Sequence, residues 1–323
     1  MILAIDVGNT NIVIGGFEND SLCFVSRISS NSSITADEYA IKIKSVLSLC
    51  GVDESLVTGA IVSSVVPPLN NIISTAILLA YGVRTIMVGP GIKTGLSIRC
   101  DDPSSVGADI ICACVAVKNL YGSPALIVDM GTATKLAAID KNGAFVGVSI
   151  VSGVGVSLKA LAERAAQLPE ISLEAPRSVI GKNTVDSMRS GAIFGSASMI
   201  DGMIDRFNKE IGDELTVYAT GGLSHIIVPH CKHEINLDSE LVLKGLNILY
   251  KKNVDAPINF MSVFEDGIIG KYTLEDGSQY LFYADGSAGK KSPDGVVTHI
   301  DGNEKNIKKI WEDIGEGETD IID

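Results

Sequence analysis

Two six-residue stretches carry the residue types that bind phosphate and a metal ion. Asp6-Val7-Gly8-Asn9-Thr10-Asn11 follows the apolar run Ile2 to Ile5, and Asp129-Met130-Gly131-Thr132-Ala133-Thr134 follows Ala125 to Val128, 123 positions later. In each, a strand-like run ends in an Asp, one residue, a Gly, and then small amide or hydroxyl side chains. The Gly leaves backbone N–H groups open to phosphate oxygens, Asn and Thr add donors, and the carboxylate can hold Mg²⁺, often through water. A third turn, Thr220-Gly221-Gly222, ends the run Thr216 to Ala219. One such turn alone is an ordinary hairpin signal. Two copies after buried strands, with a Gly-Gly turn after a later one, favour a nucleotide held between two lobes, because clefts between domains are preferred ligand sites.

The elements around these turns alternate strand and helix, an α/β pattern. Ile2 to Ile5 and Ile12 to Phe17 read as a hairpin about the first turn. Thr35-Ala36-Asp37-Glu38 is a capping box before apolar residues at helical spacing, Tyr39, Ile43, Val46 and Leu47. Gly59 to Val66 reads as a buried strand stopped by Pro67-Pro68, a helix then runs to about Tyr81, and Thr85 to Val88 is a further strand. Around the second turn, Leu136 to Asp140 and Phe145 to Ile150 continue the strand pattern, and Leu241 to Tyr250 reads as a closing helix. The recurrence of the opening at so long a distance predicts two related domains facing each other.

Composition limits the alternatives. With 323 residues, 46% apolar and 20% charged, the chain falls among globular proteins of about two domains. Its apolar runs are too short for a membrane span, and Met1 to Asp6 has no basic leader, so a soluble, cytoplasmic protein is expected. A formal charge of −13 argues against nucleic acid as a partner. The six cysteines have no framework spacing and read as reduced thiols. His225 and the cluster His230-Cys231-Lys232-His233 lack a second ligand pair for zinc and read as a polar loop. Residues 255–323 hold 15 of the 39 acids, 6 of the 26 bases and 7 of the 17 aromatics, a break that marks an appended segment. Within it, Lys271 to Leu274 and Gln279 to Tyr283 read as a hairpin, Asp285-Gly286 and Asp294-Gly295 as turns, and Asn306 to Ile314 as a helix. The expected division is therefore 1–118, 119–253 and an acidic extension, 254–323.

Seven motifs in order, from Met1 to about Asn253, resemble the type III pantothenate kinases. They are the two Asp turns, Val62 to Pro68, Val88 to Leu96, Gly107-Ala108-Asp109, Gly181-Lys182-Asn183-Thr184 and Thr220-Gly221-Gly222. The resemblance implies two RNase H-like domains of the acetate kinase, sugar kinase, Hsp70 and actin superfamily, with a small C-terminal α+β extension added here. It implies ATP-dependent phosphorylation of pantothenate, the first step of coenzyme A synthesis. Asp6, Val7, Gly8, Asn9, Thr10, Asn11, Ile12 and Val13 would contact the ATP phosphates, Asp6 holding Mg²⁺ through water. Gly131 and Thr132 would contact the same nucleotide, and Gly221 and Gly222 would lie near the adenosine. Asp109 would be the general base, and Asp129 would bind a monovalent cation, K⁺ or NH₄⁺. Cys100, Gly107, Ala108, Asp109 and Ile110 would line the pantothenate site, with Thr184 reaching it from the partner of a homodimer. Read without the resemblance, Asp109 is a helix N-cap before Ile111 to Val117.

The departures from the family gather where pantothenate should bind. Ile110 stands for an Arg and Cys100 for a Tyr, which removes a charge-assisted partner for the pantothenate carboxylate. Gly147-Val148 and Ser152-Gly153 each keep one member of a Gly-Gly and a Pro-Gly pair, and Lys135 replaces a small or aromatic residue. Three readings follow: a pantothenate kinase in which Lys93, Lys135 or Arg99 restores the lost charge, a kinase for another small hydroxylated substrate, and a non-catalytic paralogue serving as regulator or partner subunit.

Overall fold

The computed structural model describes residues 1–254 and, in the C-terminal stretch, 268–273, 278–283, 288–293 and 296–300. Strands β1 (Ile2–Val7) and β2 (Asn11–Glu18) form the expected hairpin, and β3 (Ser21–Ser29) extends it antiparallel. Half of β3 is polar and its other face only partly buried, so its sequence carries little strand signal. The capping box opens α1 (Ala36–Leu49), where Thr35 and Glu38 cap each other's backbone N–H groups. β4 (Gly59–Ser64), α2 (Pro67–Tyr81) and β5 (Thr85–Met87) complete a sheet of order β3-β2-β1-β4-β5, its last three strands parallel.

The chain then passes β6 (Ser97–Ile98) and α3 (Ala108–Leu120) and repeats the plan. β7 (Ala125–Met130), β8 (Ala133–Ile139) and β9 (Ala144–Ser152) form an antiparallel meander. After α4 (Val154–Arg164) and the long α5 (Thr184–Ile211) come β10 (Thr216–Thr220), the short α6 (Ser224–Ile227), β11 (Ile235–Leu237) and α7 (Leu241–Asn253). The second sheet has the order β11-β10-β7-β8-β9-β6. Its first five strands follow the first sheet's topology, so the repeated turn belongs to a repeated sheet. β6, from before residue 118, pairs with β9 of this sheet, and the expected boundary falls inside α3.

Period-two burial explains the layers. Leu3, Ile5 and Val7 face α1 and α2, whereas Ala4 and Ile61 face α3 and α7. In the second sheet Leu126, Val128 and Leu136 face α4 and α5, whereas Ile127, Ala137 and Ile139 face the same α3–α7 layer. The two sheets therefore share one central helical layer. Asp238 anchors α7 there, accepting from Tyr121 Oη at 2.7 Å and Lys244 Nζ at 2.7 Å. In the C-terminal stretch β12 (Ile268–Thr273), β13 (Gln279–Tyr283), β14 (Ala288–Lys291) and β15 (Val297–Ile300) make an antiparallel sheet that includes the expected hairpin. The turns at 285–286 and 294–295 and the helix at 306–314 lie outside the described residues.

α3 and α7 touch backbone to backbone: a Cβ on Gly245 would lie 1.9 Å from the Cys112 carbonyl oxygen. Gly245→Ala should therefore lower the melting temperature by several degrees, since overpacking against backbone costs about 3 kcal/mol. A rise in stability from the better helix propensity of Ala would contradict the close crossing.

Candidate active site

Strand register builds the site. In the first sheet Arg27, Val13, Asp6 and Ser63 lie opposite one another across β3, β2, β1 and β4, and so share one face. In the second, Ile150, Lys135, Asp129 and Thr220 form the same row across β9, β8, β7 and β10. Apart from the buried Ser63, both rows line a cleft of about 1080 Å³ between the sheets. The two Asp turns meet in it, with Thr10 Oγ1 and Thr132 Oγ1 3.3 Å apart. Ser30 Oγ donates to the Gly8 carbonyl at 2.5 Å and holds the first turn. Gly153 presses on the second: its N–H donates to the Thr132 carbonyl at 3.0 Å, and a Cβ there would fall 2.4 Å from the carbonyl oxygens of Gly131 and Thr132. The glycine kept from the Pro-Gly pair is thus the member that the geometry requires.

The start of α3 supplies the third wall. Its N-cap is Gly107, so Asp109 is not the cap but a first-turn residue, with Oδ1 accepting its neighbour Ile110's N–H at 2.7 Å. Oδ2 accepts from Lys135 Nζ at 2.5 Å, and the same ammonium lies 2.7 Å from Asp129 Oδ2. The three side chains are only 13 to 19% exposed. Burial works against the Lys135 charge, but the two carboxylates outweigh it and push its pKa up. For Asp129 burial prevails over the lysine and raises the carboxyl. Asp6 is pushed up to about 7 by burial and then by the charge of Asp109, with Ser63 pulling the other way.

Asp6, Gly8, Asn9, Thr10, Asn11, Val13, Gly131, Thr132, Gly221, Gly222, Gly107, Asp109, Ile110 and Asp129 all line this one cleft. Val7 and Ile12 instead bury their side chains beneath the first sheet, leaving only their main chain to a ligand. Ala108 and Cys100 pack on the central core. Thr184 is elsewhere: it opens α5 in a separate groove of about 970 Å³ between α4 and α5. Of the cations expected to replace the missing arginine, Arg99 is paired with Asp140 at 3.1 Å, Lys93 does not line the cleft, and Lys135 is held by two acids. The cleft holds a cation that the sequence did not single out, Arg27, which has no ion-pair partner among the described residues. The His230 to His233 segment is a loop fastened through its backbone, the N–H groups of Lys232 and His233 donating to Asp201. Among the described residues no group of three His, Cys, Asp or Glu is placed to hold a metal ion by itself.

The donor set fits Mg²⁺ brought with phosphate. Asp6 has no basic group within ion-pair distance among the described residues, and the three carboxylates outnumber the two cations of the cleft, Lys135 and Arg27, which leaves an excess of negative charge for a hard divalent cation. The same test fails for a monovalent cation at Asp129, whose carboxylate already meets an ammonium.

A raised carboxyl favours the folded state while protonated and loses that advantage as pH rises. The Asp6 contribution is full below about pH 4 and is lost as the pH rises through about 7. Asp6→Asn should therefore raise the unliganded melting temperature at pH 8 and change it little at pH 4, while removing the further rise caused by Mg·ATP. Equal nucleotide stabilisation in variant and wild type would contradict the assignment of Asp6.

Comparison with known proteins identifies the family. The family model for type III pantothenate kinase matches residues 2–206. The type III pantothenate kinase of Exiguobacterium sp. strain AT1b is 44% identical over 253 residues, covering 78% of this chain and 99% of the relative. That of Moorella thermoacetica is 42% identical over 253 residues, covering 78% and 100%. About a fifth of this chain thus has no counterpart in either. Among solved structures, a protein from Sinorhizobium meliloti provisionally assigned as a 2-dehydro-3-deoxygalactonokinase superposes with a TM-score of 0.53 at 12% identity, covering 79% of this chain and 97% of that one. A Campylobacter jejuni chain provisionally assigned as a Baf family transcriptional activator gives 0.50 at 18% identity, covering 78% and 99%. Such distant likeness establishes the fold alone, a two-lobed α/β architecture shared with these two chains. With two phosphate turns facing one cleft and relatives matched over nearly their whole length, the chain belongs to the type III pantothenate kinase family.

Proposed function

We propose that this protein transfers the γ-phosphoryl group of ATP to the primary hydroxyl of pantothenate, forming 4′-phosphopantothenate for coenzyme A synthesis. The observation that carries the reading is the meeting of Asp109 with both phosphate turns in one cleft, in a chain over 40% identical to curated pantothenate kinases. The non-catalytic alternative has no such support.

Phosphoryl transfer needs positioning and charge stabilisation more than covalent chemistry. The turn at Gly8 to Asn11 and the turn at Gly131 and Thr132 supply amide and hydroxyl donors to the phosphates from opposite sides, and Gly221 and Gly222 bound the cleft beyond them for the adenosine. When bound, Mg²⁺ would neutralise charge developing on the β- and γ-phosphates, with Asp6 its contact through water. Asp109, oriented by its hydrogen bond from Lys135, accepts the proton of the pantothenate hydroxyl as the bond to phosphorus forms. Ile110 replaces a guanidinium beside it, so recognition of the pantothenate carboxylate passes to another donor, for which Arg27 is the cleft cation without a partner.

The working unit in this reading is a homodimer. Thr184 lies in the α4–α5 groove, whose wall of Gly191, Ala192 and Gly195 permits close helix packing and whose neighbours Leu161 and Ile180 are exposed. A second copy seated there would bring Thr184 toward the partner's substrate. The six unpaired thiols suit a reducing, cytoplasmic setting, and among the described residues no helix is long and apolar enough to cross a membrane.

Asp109→Asn keeps shape and hydrogen bonding but cannot take a proton. It should leave Mg·ATP affinity within about twofold while lowering kcat for pantothenate-dependent ADP formation by roughly 10² to 10⁴. Unchanged kcat would remove Asp109 from the chemistry.

A further inference from the structure

We infer that Lys135 is this protein's built-in monovalent cation: its ammonium, fixed between Asp129 and Asp109, takes the place that K⁺ or NH₄⁺ is expected to hold at Asp129, so that the site works without a diffusible ion. The inference rests on the kinase reading for the substrate used in its activity assay and on nothing else in that reading.

Geometry carries it. Lys135 Nζ lies 2.5 Å from Asp109 Oδ2 and 2.7 Å from Asp129 Oδ2, and the side chain is 14% exposed. A second monovalent cation at the same carboxylate would sit against a like charge in a poorly solvated site. Register explains how the lysine gets there. Asp129 and Lys135 are direct partners across the β7–β8 hairpin, so both side chains leave the same face of the sheet. The duplicated hairpin offers an internal comparison: opposite Asp6 stands Val13, which brings no charge. At the position directly opposite the Asp, the first row therefore has an alkyl group and the second a cation.

The chemistry matches as well. A lysine head is an ammonium on a tether, with three donors and a single positive charge. Two of its N–H groups are taken by Asp109 and Asp129, and the third has no acceptor among the described residues. Lys135 lines the cleft beside Gly131 and Thr132, where that donor can face a phosphate oxygen. A covalently held cation is present at every salt composition, whereas a diffusible one occupies its site only by mass action.

The test compares wild type, Lys135→Ala and Lys135→Arg, full length, in choline, K⁺ or NH₄⁺ chloride at constant ionic strength. Wild-type ADP formation with Mg·ATP and pantothenate should differ by less than about twofold among the three salts. Lys135→Ala, which leaves space for an ion, should fall by roughly tenfold or more in choline and recover with NH₄⁺ or K⁺. Lys135→Arg should remain insensitive to the salt. A merely structural lysine would not produce cation-specific rescue. Activation of the wild type by K⁺ of about tenfold or more would overturn the inference, as would a Lys135→Ala enzyme whose activity is unaffected or is lost and restored by neither ion. Should Lys135→Ala not fold, the wild-type and Lys135→Arg salt series decide alone. If no protein turns over pantothenate in any salt, the kinase reading fails while the cation remains testable. In that case the unliganded Lys135→Ala melting temperature should rise in NH₄⁺ or K⁺ over choline and that of the wild type should not; equal responses would refute the lysine's role.

Discussion

The ion triad of Asp109, Lys135 and Asp129 is the contact on which the site depends. It joins the first turn of α3, in the layer shared by both sheets, to the second sheet's central hairpin, and it does so at the floor of the cleft. Without the ammonium, two carboxylates would face each other in a poorly solvated space and repel. Buried ion pairs roughly break even against an apolar core, but removing one partner costs about 3 to 5 kcal/mol. The triad is therefore better explained as a device that fixes the direction of Asp109 than as a source of stability.

Duplication sets the frame, and divergence between the copies gives it function. Each sheet presents a row of side chains on the face toward the cleft, with an Asp on the central strand and a phosphate turn one step beyond it. In the first copy the Asp has no cation beside it and is raised to about 7, the state of a group that gains most from a divalent ion. In the second the Asp is balanced from within. Had both rows carried a lysine, the cleft would have little negative charge left for a metal; had neither, three carboxylates would be crowded together.

Much of this was legible in the sequence because it is local. The Asp turns, the capping box at Thr35 and the Pro67-Pro68 stop all mark elements through their own residues, and the strands and helices they announce are present. What was not legible depends on pairing between distant segments. β6 carries two residues and no pattern, yet it edges the second sheet. Arg27 enters the cleft only because β3 aligns it with Val13 and Asp6. The long α5 was not anticipated: it holds Gly191, Gly195 and Gly202 and several serines, which dilute helical periodicity. Lys135 is the instructive case. In sequence it stands out as a departure from the family and a candidate for the lost arginine's charge, but the hairpin register turns it toward two acids. Counting back from a tight turn between Asp129 and Lys135 would have paired them directly.

The cleft's defining property is γ-phosphoryl transfer from ATP to pantothenate. The most direct measurement is to incubate the protein with Mg·ATP and pantothenate and follow both products together, ADP by chromatography and the pantothenate derivative by mass spectrometry. The account predicts ADP and 4′-phosphopantothenate in equal amounts, with the phosphate on the primary hydroxyl. Release of ADP with free phosphate and unchanged pantothenate, or nucleotide binding without turnover, would contradict it.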